Sequence, residues 1–175
     1  IVTTQQGLSR TSRATETGKV TELVKAALRI NASGMAGYDS EVTEARDDLP
    51  PVMVEKNKAL QILVNLISNA RHSCDASGRQ EKKLSVHTTG QDGHVCIAVT
   101  DNGVGIPAEN LPCIFAHGFT TKKDGHGFGL HSAALAAKEL GGSLSVRSDG
   151  AGLGATFTLE LPCEPVASTH EDRVR

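Results

Sequence analysis

The sequence has no excess of positive charge. Lys plus Arg number 18 against 20 for Asp plus Glu, a formal net charge of −2, and the basic clusters are pairs such as Lys82-Lys83 and Lys122-Lys123. Nothing here makes the basic stripe that neutralises a phosphate backbone, so no nucleic-acid partner is expected. Cysteine is sparse as well. Cys74, Cys96, Cys113 and Cys163 show no CxxC spacing, and Cys74 and Cys96 fall inside apolar patterns. That excludes a zinc knuckle or a disulfide framework and fits reduced thiols in a cytosolic compartment. Long hydrophobic runs are missing too, against the roughly 20 residues needed to cross a bilayer. The first residues lack the basic-then-apolar order of a secretory signal. The expectation is a soluble, cytoplasmic segment, whether or not the parent protein is anchored in a membrane.

What is present reads as one α+β domain, since 175 residues can bury one proper core. Residues 1–16 are polar and read as a linker or the end of a helix, the domain spans 17–162, and 163–175 is a polar tail expected to be disordered. Leu23, Val24, Ala27 and Leu28 recur at helical spacing from Val20 to about Asn31, with Thr17 or Thr21 available as a cap. Ser40 to Arg46 is a weak strand candidate, and Val52 and Val54 begin a second extended piece. A helix then runs from about Glu55 to Ala76, apolar over most of its circumference, with a narrow polar stripe of Asn65, Asn69 and His72. Leu84 to Thr88 and Val95 to Val99 alternate about a Gly90–Gly93 turn, a hairpin in which Asp101 falls in phase with the inward residues. A short helix is expected over Pro107 to Phe115, a loop over Ala116 to His126, a helix from Leu130 to Leu140, and two final strands around a glycine turn at Asp149 to Gly154.

Three places carry chemistry. Asn65, Asn69 and His72 put two amides and an imidazole on one helix edge, a reasonable partial shell for a hard cation and a phosphate contact. They serve equally well to satisfy loop backbone. Asp101, followed by Gly103 and Gly105, offers a buried acceptor for an exocyclic amine beside a backbone tight enough to lie against a flat base; a plain Asp-Asn-Gly turn is the other reading. Gly125, Gly127 and Gly129 precede a helix whose first N–H groups suit an anion. This is not the dinucleotide GxGxxG, because no strand leads into it, and the GK[ST] ending of a Walker loop is missing.

In order, the Asn-x-x-x-Asn helix, Asp-x-Gly-x-Gly, Phe115 and Phe119 with Thr-Thr-Lys, Gly-x-Gly-x-Gly-Leu and Gly-x-Gly-Ala-Thr-Phe resemble the catalytic ATP-binding domain of sensor histidine kinases. The resemblance covers about Val20 to Pro162. It implies a Bergerat-type two-layer sandwich, a mixed and mostly antiparallel sheet with helices on one face and a flexible lid over ATP. It implies that Asn69, with Asn65 beside it, holds Mg²⁺, and that His72 and Lys122 serve the phosphates. Asp101 would take adenine N6, with Gly103, Gly105 and Ile106 shaping the base pocket. Phe115, Thr120, Thr121, Gly125, Gly127, Phe128, Gly129 and Leu130 would line the nucleotide, and Thr156 would support the adenine side.

In related ATPases of the same fold a Glu four residues before the magnesium Asn activates water. Here that place is Asn65, which has no useful basicity. The resemblance therefore implies a kinase that passes the γ-phosphate to a His on a separate dimerisation domain, for relay to a response-regulator receiver domain, with a homodimeric parent. All seven histidines lie at or after His72, so no acceptor His precedes the motifs. The alternatives are an ATP-hydrolysing conformational switch and a nucleotide-free scaffold.

Overall fold

Period-two and period-3.6 hydrophobic patterns alternate along this chain, and each becomes the element its period dictates. The computed structural model describes residues 16–41, 49–91, 93–121, 125 and 127–163. Strand β1 (Glu16–Gly18) is followed by helix α1 (Val20–Asn31) and a 3₁₀ turn at Ala32–Gly34; β2 (Asp39–Glu41) and β3 (Val52–Val54) precede helix α2 (Lys56–Ala76). Then come β4 (Lys83–Gln91), β5 (His94–Asp101), helix α3 (Gly129–Glu139), β6 (Ser143–Arg147) and β7 (Ala155–Pro162).

Five strands form one sheet in the order β2-β4-β5-β7-β6, with β2 parallel to β4 and the other pairs antiparallel. β1 and β3 make a separate antiparallel ribbon. The ribbon is tied to the end of β7 by a bridge between Val52 and Cys163. Along β5 and β7 burial alternates strictly. The inward set, Leu84, Val86, Val95, Ile97, Val99, Phe157, Leu159 and Leu161, forms one core with Ile62, Leu63, Leu66 and Ile67 of α2. Helix α2 packs on β4 and β5, α3 on β6 and β7, and α1 on α2. This is the two-layer α+β sandwich expected from the sequence. Each fully buried Leu or Ile of α2 contributes about 1.5–3 kcal/mol of burial.

Two local expectations are corrected. Neither Thr17 nor Thr21 caps α1: Thr17 lies in β1, Thr21 is buried within the helix, and the N-cap position is Lys19, without a side-chain cap. Pro107 to Phe115 makes only one 3₁₀ turn, Leu111–Cys113, because Pro112 lacks the N–H and its ring clashes with the preceding turn of an α-helix. Of the weak strand candidate at Ser40 to Arg46, Ser40 and Glu41 lie in β2; residues 42–48 lie outside the described set, as do residues 1–15 and 164–175 at the termini. Helix α3 ends as its Gly141-Gly142 pair predicts. Gly142 N–H donates to Ala137 O at 2.9 Å and Gly141 N–H to Lys138 O at 3.0 Å, the two bonds of a Schellman stop.

Candidate functional site

Asp101 ends β5 on the helix-facing side and is 5% exposed. A carboxylate there needs donors, and the neighbouring elements provide them. Ser73 Oγ–H on α2 donates to Asp101 Oδ1 at 2.9 Å, and the Gly103 N–H donates to the same oxygen at 2.8 Å. Ala155, its partner across the β5–β7 ladder, lies on the same face of the sheet. Burial nevertheless pushes the Asp101 carboxyl above the ordinary carboxylate range, against these bonds, which favour the ionised form. The facing Cys74 thiol is pushed up by burial and then by Asp101.

The glycines after Asp101 owe their identity to protein neighbours. A Cβ on Gly103 would stand 2.2 Å from Ser73 Oγ and 2.3 Å from its carbonyl carbon. Gly105 has φ +67°, and a Cβ there would meet the Gly150 carbonyl oxygen at 2.0 Å. The space a side chain would need at these two positions is filled by α2 and by the β6–β7 turn. Ile106 is buried in the core, and its N–H donates to Ser148 Oγ at 2.9 Å. Ser148 in turn donates to Gly154 O at 2.6 Å, so one serine ties the loop after β5 to the turn before β7. Asn102 fixes the other side: its Oδ1 accepts from Lys83 N–H at 2.9 Å and its Nδ2 donates to Glu81 O at 2.9 Å.

The amide stripe of α2 turns out to be half-buried at Asn65 and Asn69 and exposed at His72. Asn65 Nδ2 donates to Gly129 O at 2.5 Å, and Asn69 Nδ2 donates to Asn65 Oδ1 at 3.3 Å. Asn65 is thereby the tie between α2 and the first residue of α3. A Cβ on Gly129 would lie 2.9 Å from Asn65 Oδ1, so this glycine lets the two helices approach. Asn69 directs its nitrogen at Asn65, which turns its Oδ1 the other way. His72 Nδ1 lies 2.5 Å from Ser68 O. A carbonyl only accepts, so Nδ1 carries a hydrogen and Nε2 is the nitrogen turned outward.

The loop before α3 is stitched at its base. Gly118 N–H donates to Gly127 O at 3.2 Å, the His117 ring lies 4.9 Å from Phe128 and 5.1 Å from His131, and His131 Nδ1 donates to Phe115 O at 2.9 Å. Phe115 packs edge-on to Phe157 at 6.4 Å, on the core side. Leu130 also packs against the core, whereas Phe128 is half-exposed, Thr120 and Thr121 are exposed and Gly125 is half-buried. Lys122 lies outside the described residues. The first N–H groups of α3 form the anion-suited end, with no side-chain cap on them.

One predicted residue is misplaced. Thr156 pairs with Thr100, and their hydroxyls meet at 3.0 Å on the opposite sheet face from Asp101. The side chain in phase with Asp101 is Ala155, because strand side chains alternate. Residues missed at the site are Ser73, Asn102 and Ser148. Ser73 had a signal: it continues the straight i, i+4 row from Asn65 through Asn69. Among the described residues no three His, Cys, Asp or Glu side chains converge to hold a metal ion, and no helix is long and apolar enough to cross a membrane.

A family model described as histidine kinase-, DNA gyrase B-, and HSP90-like ATPase matches residues 55–165, a span that contains Asn65, Asn69, Asp101 and Gly129. Sensor histidine kinase ZraS of Escherichia coli K12 is 38% identical over 118 residues, 67% of this chain and 24% of ZraS. Sensor protein FixL of Bradyrhizobium diazoefficiens is 32% identical over 148 residues, 82% of this chain and 29% of FixL. The chain spans about a quarter of the length of the curated relatives it matches. Among solved structures, the mycobacterial sensor histidine kinase MprB superposes with a TM-score of 0.73 at 23% identity, covering 87% of this chain and 100% of that one. Full-length ShkA in complex with AMPPNP gives 0.73 at 23% identity, covering 89% of this chain and 32% of that one. At such identities the likeness establishes the fold.

Proposed function

We propose, because the chain belongs to the histidine kinase-, DNA gyrase B-, and HSP90-like ATPase family, that it is the ATP-binding catalytic domain of a sensor histidine kinase. The observation that carries this reading is the arrangement along α2. Ser73 holds the buried acceptor Asp101, Asn69 stands one turn earlier, and Asn65 grips the start of α3 another turn earlier. Eight residues of helix span about 12 Å, so an amine-accepting end and an anion-accepting end share one rigid element, in the order adenine to polyphosphate.

Asp101 accepts from the adenine 6-amino group, and the N–H groups of the first turn of α3 receive phosphate oxygens. Asn69 fits a hard divalent cation through its amide oxygen, with phosphate oxygens and waters completing the shell; Asn65, whose amide is engaged by Gly129 and Asn69, holds the scaffold beside it. When bound, Mg²⁺ neutralises phosphate charge. His72 Nε2 and Lys122 supply contacts to the polyphosphate. Asn65 cannot take a proton from water, so the site keeps ATP intact and offers its γ-phosphate to a protein nucleophile by positioning. The acceptor is a His on a dimerisation domain of a homodimeric parent, and the phosphoryl group passes on to a receiver-domain Asp of a response regulator.

Calorimetric titration of AMPPNP with Mg²⁺ tests the pocket, with saturable binding expected. Labelled γ-phosphate should then move to a His-bearing dimerisation domain of the parent added in trans, while the chain alone labels little. Steady phosphate release by the isolated chain, independent of any acceptor, would mark a hydrolytic switch and overturn the kinase reading.

A further inference from the structure

Ser73 stands where α2, the end of β5 and the loop after it meet, and both hydrogen-bonding capacities of its hydroxyl are used. It donates to Asp101 Oδ1 at 2.9 Å and accepts from the Val104 N–H at 3.1 Å. Gly103, between them, donates to the same carboxylate oxygen at 2.8 Å and leaves no room for any side chain against Ser73. Oδ1 is thus committed to two donors that belong to the protein. Oriented bonds in series polarise one another, so the Val104 N–H, the Ser73 hydroxyl and the carboxylate form one chain.

We propose that Ser73 is a positioning residue for purine selectivity, locking Asp101 through Oδ1 so that the carboxylate is aimed as an acceptor at a 6-amino purine. The inference rests on the adenine reading of Asp101. Ser73 touches no nucleotide; it acts through the carboxylate. Among the described residues, the groups that face Asp101 from each packed element are few. From α2 they are Ser73 and the Cys74 thiol, from β4 Leu84, from β7 Ala155, and from the β6–β7 turn the Gly154 backbone. None carries a charge at neutral pH, so the hydrogen bonds alone offset the burial that pushes the carboxyl up. Removing the Ser73 bond leaves the burial unopposed at one donor and raises the carboxyl further.

Ser73→Ala suits a helix interior, and the loop keeps its backbone anchor, because Val104 N–H also reaches Ser73 O at 3.2 Å. The variant therefore folds, which circular dichroism checks. AMPPNP with Mg²⁺ is titrated into the parent, Ser73→Ala, Ser73→Thr and Asp101→Asn across about pH 5 to 8, and inosine triphosphate with Mg²⁺ is titrated in parallel. Asp101→Asn supplies the acid limb that belongs to the phosphates themselves. Ser73→Ala is expected to bind AMPPNP about tenfold more weakly, to prefer it less over the inosine nucleotide, and to lose affinity at a higher pH than the parent. Recovery of that pH midpoint by Ser73→Thr supports the assignment. Weaker binding with the midpoint and the preference unchanged makes Ser73 merely structural and overturns the proposal, as does undiminished binding. Full binding by Asp101→Asn removes the adenine reading itself, whereas loss in Asp101→Asn beside parent-like Ser73→Ala removes only the role of Ser73.

Discussion

The two ends of the site are built on different principles. At the Asp101 end every group near the carboxylate is pinned from two directions. The strand register sets Ala155, α2 brings Ser73, and Asn102 and Ser148 close the flanking loops. At the Gly127 end the described structure consists of a loop base, held by a backbone bond between Gly118 and Gly127, by the His117 ring against those of Phe128 and His131, and by the His131–Phe115 bond, followed by a helix N-terminus with no side-chain cap. A purine amine has one fixed geometry and rewards a preformed acceptor. A polyphosphate carries charge in several places and suits N–H groups that a loop can close over. On the proposed reading, the first end selects the base and the second receives the polyphosphate.

The contrast breaks or sharpens on paired glycine substitutions. Gly103→Ala drives a Cβ into the backbone of α2 at 2.3 Å, in a region that cannot yield, and should cost about 3 kcal/mol, read as a fall in Tm of roughly 6–12 °C. Gly127→Ala meets an equally close neighbour, Gly118 C at 2.4 Å, with φ +70°. If the loop base yields, its cost in urea unfolding stays near 1 kcal/mol while AMPPNP affinity falls. Equal costs at both glycines would erase the distinction.

Asp101→Asn comes next in size. It should weaken AMPPNP binding at least about tenfold, roughly 1.4 kcal/mol, measured by calorimetry at neutral pH. The same variant reports on stability. A carboxyl raised in the folded state binds its proton more tightly there than in the unfolded chain. Stability is therefore highest below the ordinary Asp range, near about 3.9, and falls as pH rises through the raised folded value. Urea unfolding of the nucleotide-free chain should show the parent losing stability relative to Asp101→Asn over that window; parallel curves would mean the carboxylate is not desolvated. The smallest effect is a control in neither region. Thr88 is 1% exposed on the core face, and among the described residues its hydroxyl has no partner. Thr88→Val should stabilise by about 1 kcal/mol and leave binding unchanged.

The elements that bury apolar surface were legible because their period is their structure. Asp101 announced its direction by falling in phase with Val95, Ile97 and Val99, and α2 announced its polar edge. What escaped was decided by contacts between distant segments. Thr156 attracted attention as the polar residue of its motif, yet the phase of Phe157, Leu159 and Leu161 already assigned the inward place to Ala155. Gly103 and Gly105 advertised a tight backbone but not that Ser73 and Gly150 fill the space. Asn65 looked like a ligand and is a tie to Gly129, since no local pattern says which carbonyl a half-buried amide will find. Pro112 interrupts the short helix expected over Pro107 to Phe115, a case where one missing N–H decides.

The ribbon of β1 and β3 gives α2 a mechanical meaning. β1 is hydrogen-bonded along its whole length to β3, and β3 is joined to α2 through Glu55 alone. A helix of 21 residues is a strut about 32 Å long. A load applied to β1 meets no slack before the near end of that strut. Asn65, Asn69 and Ser73 all stand on that one strut, packed against the sheet, so a displacement of the strut would reach all three.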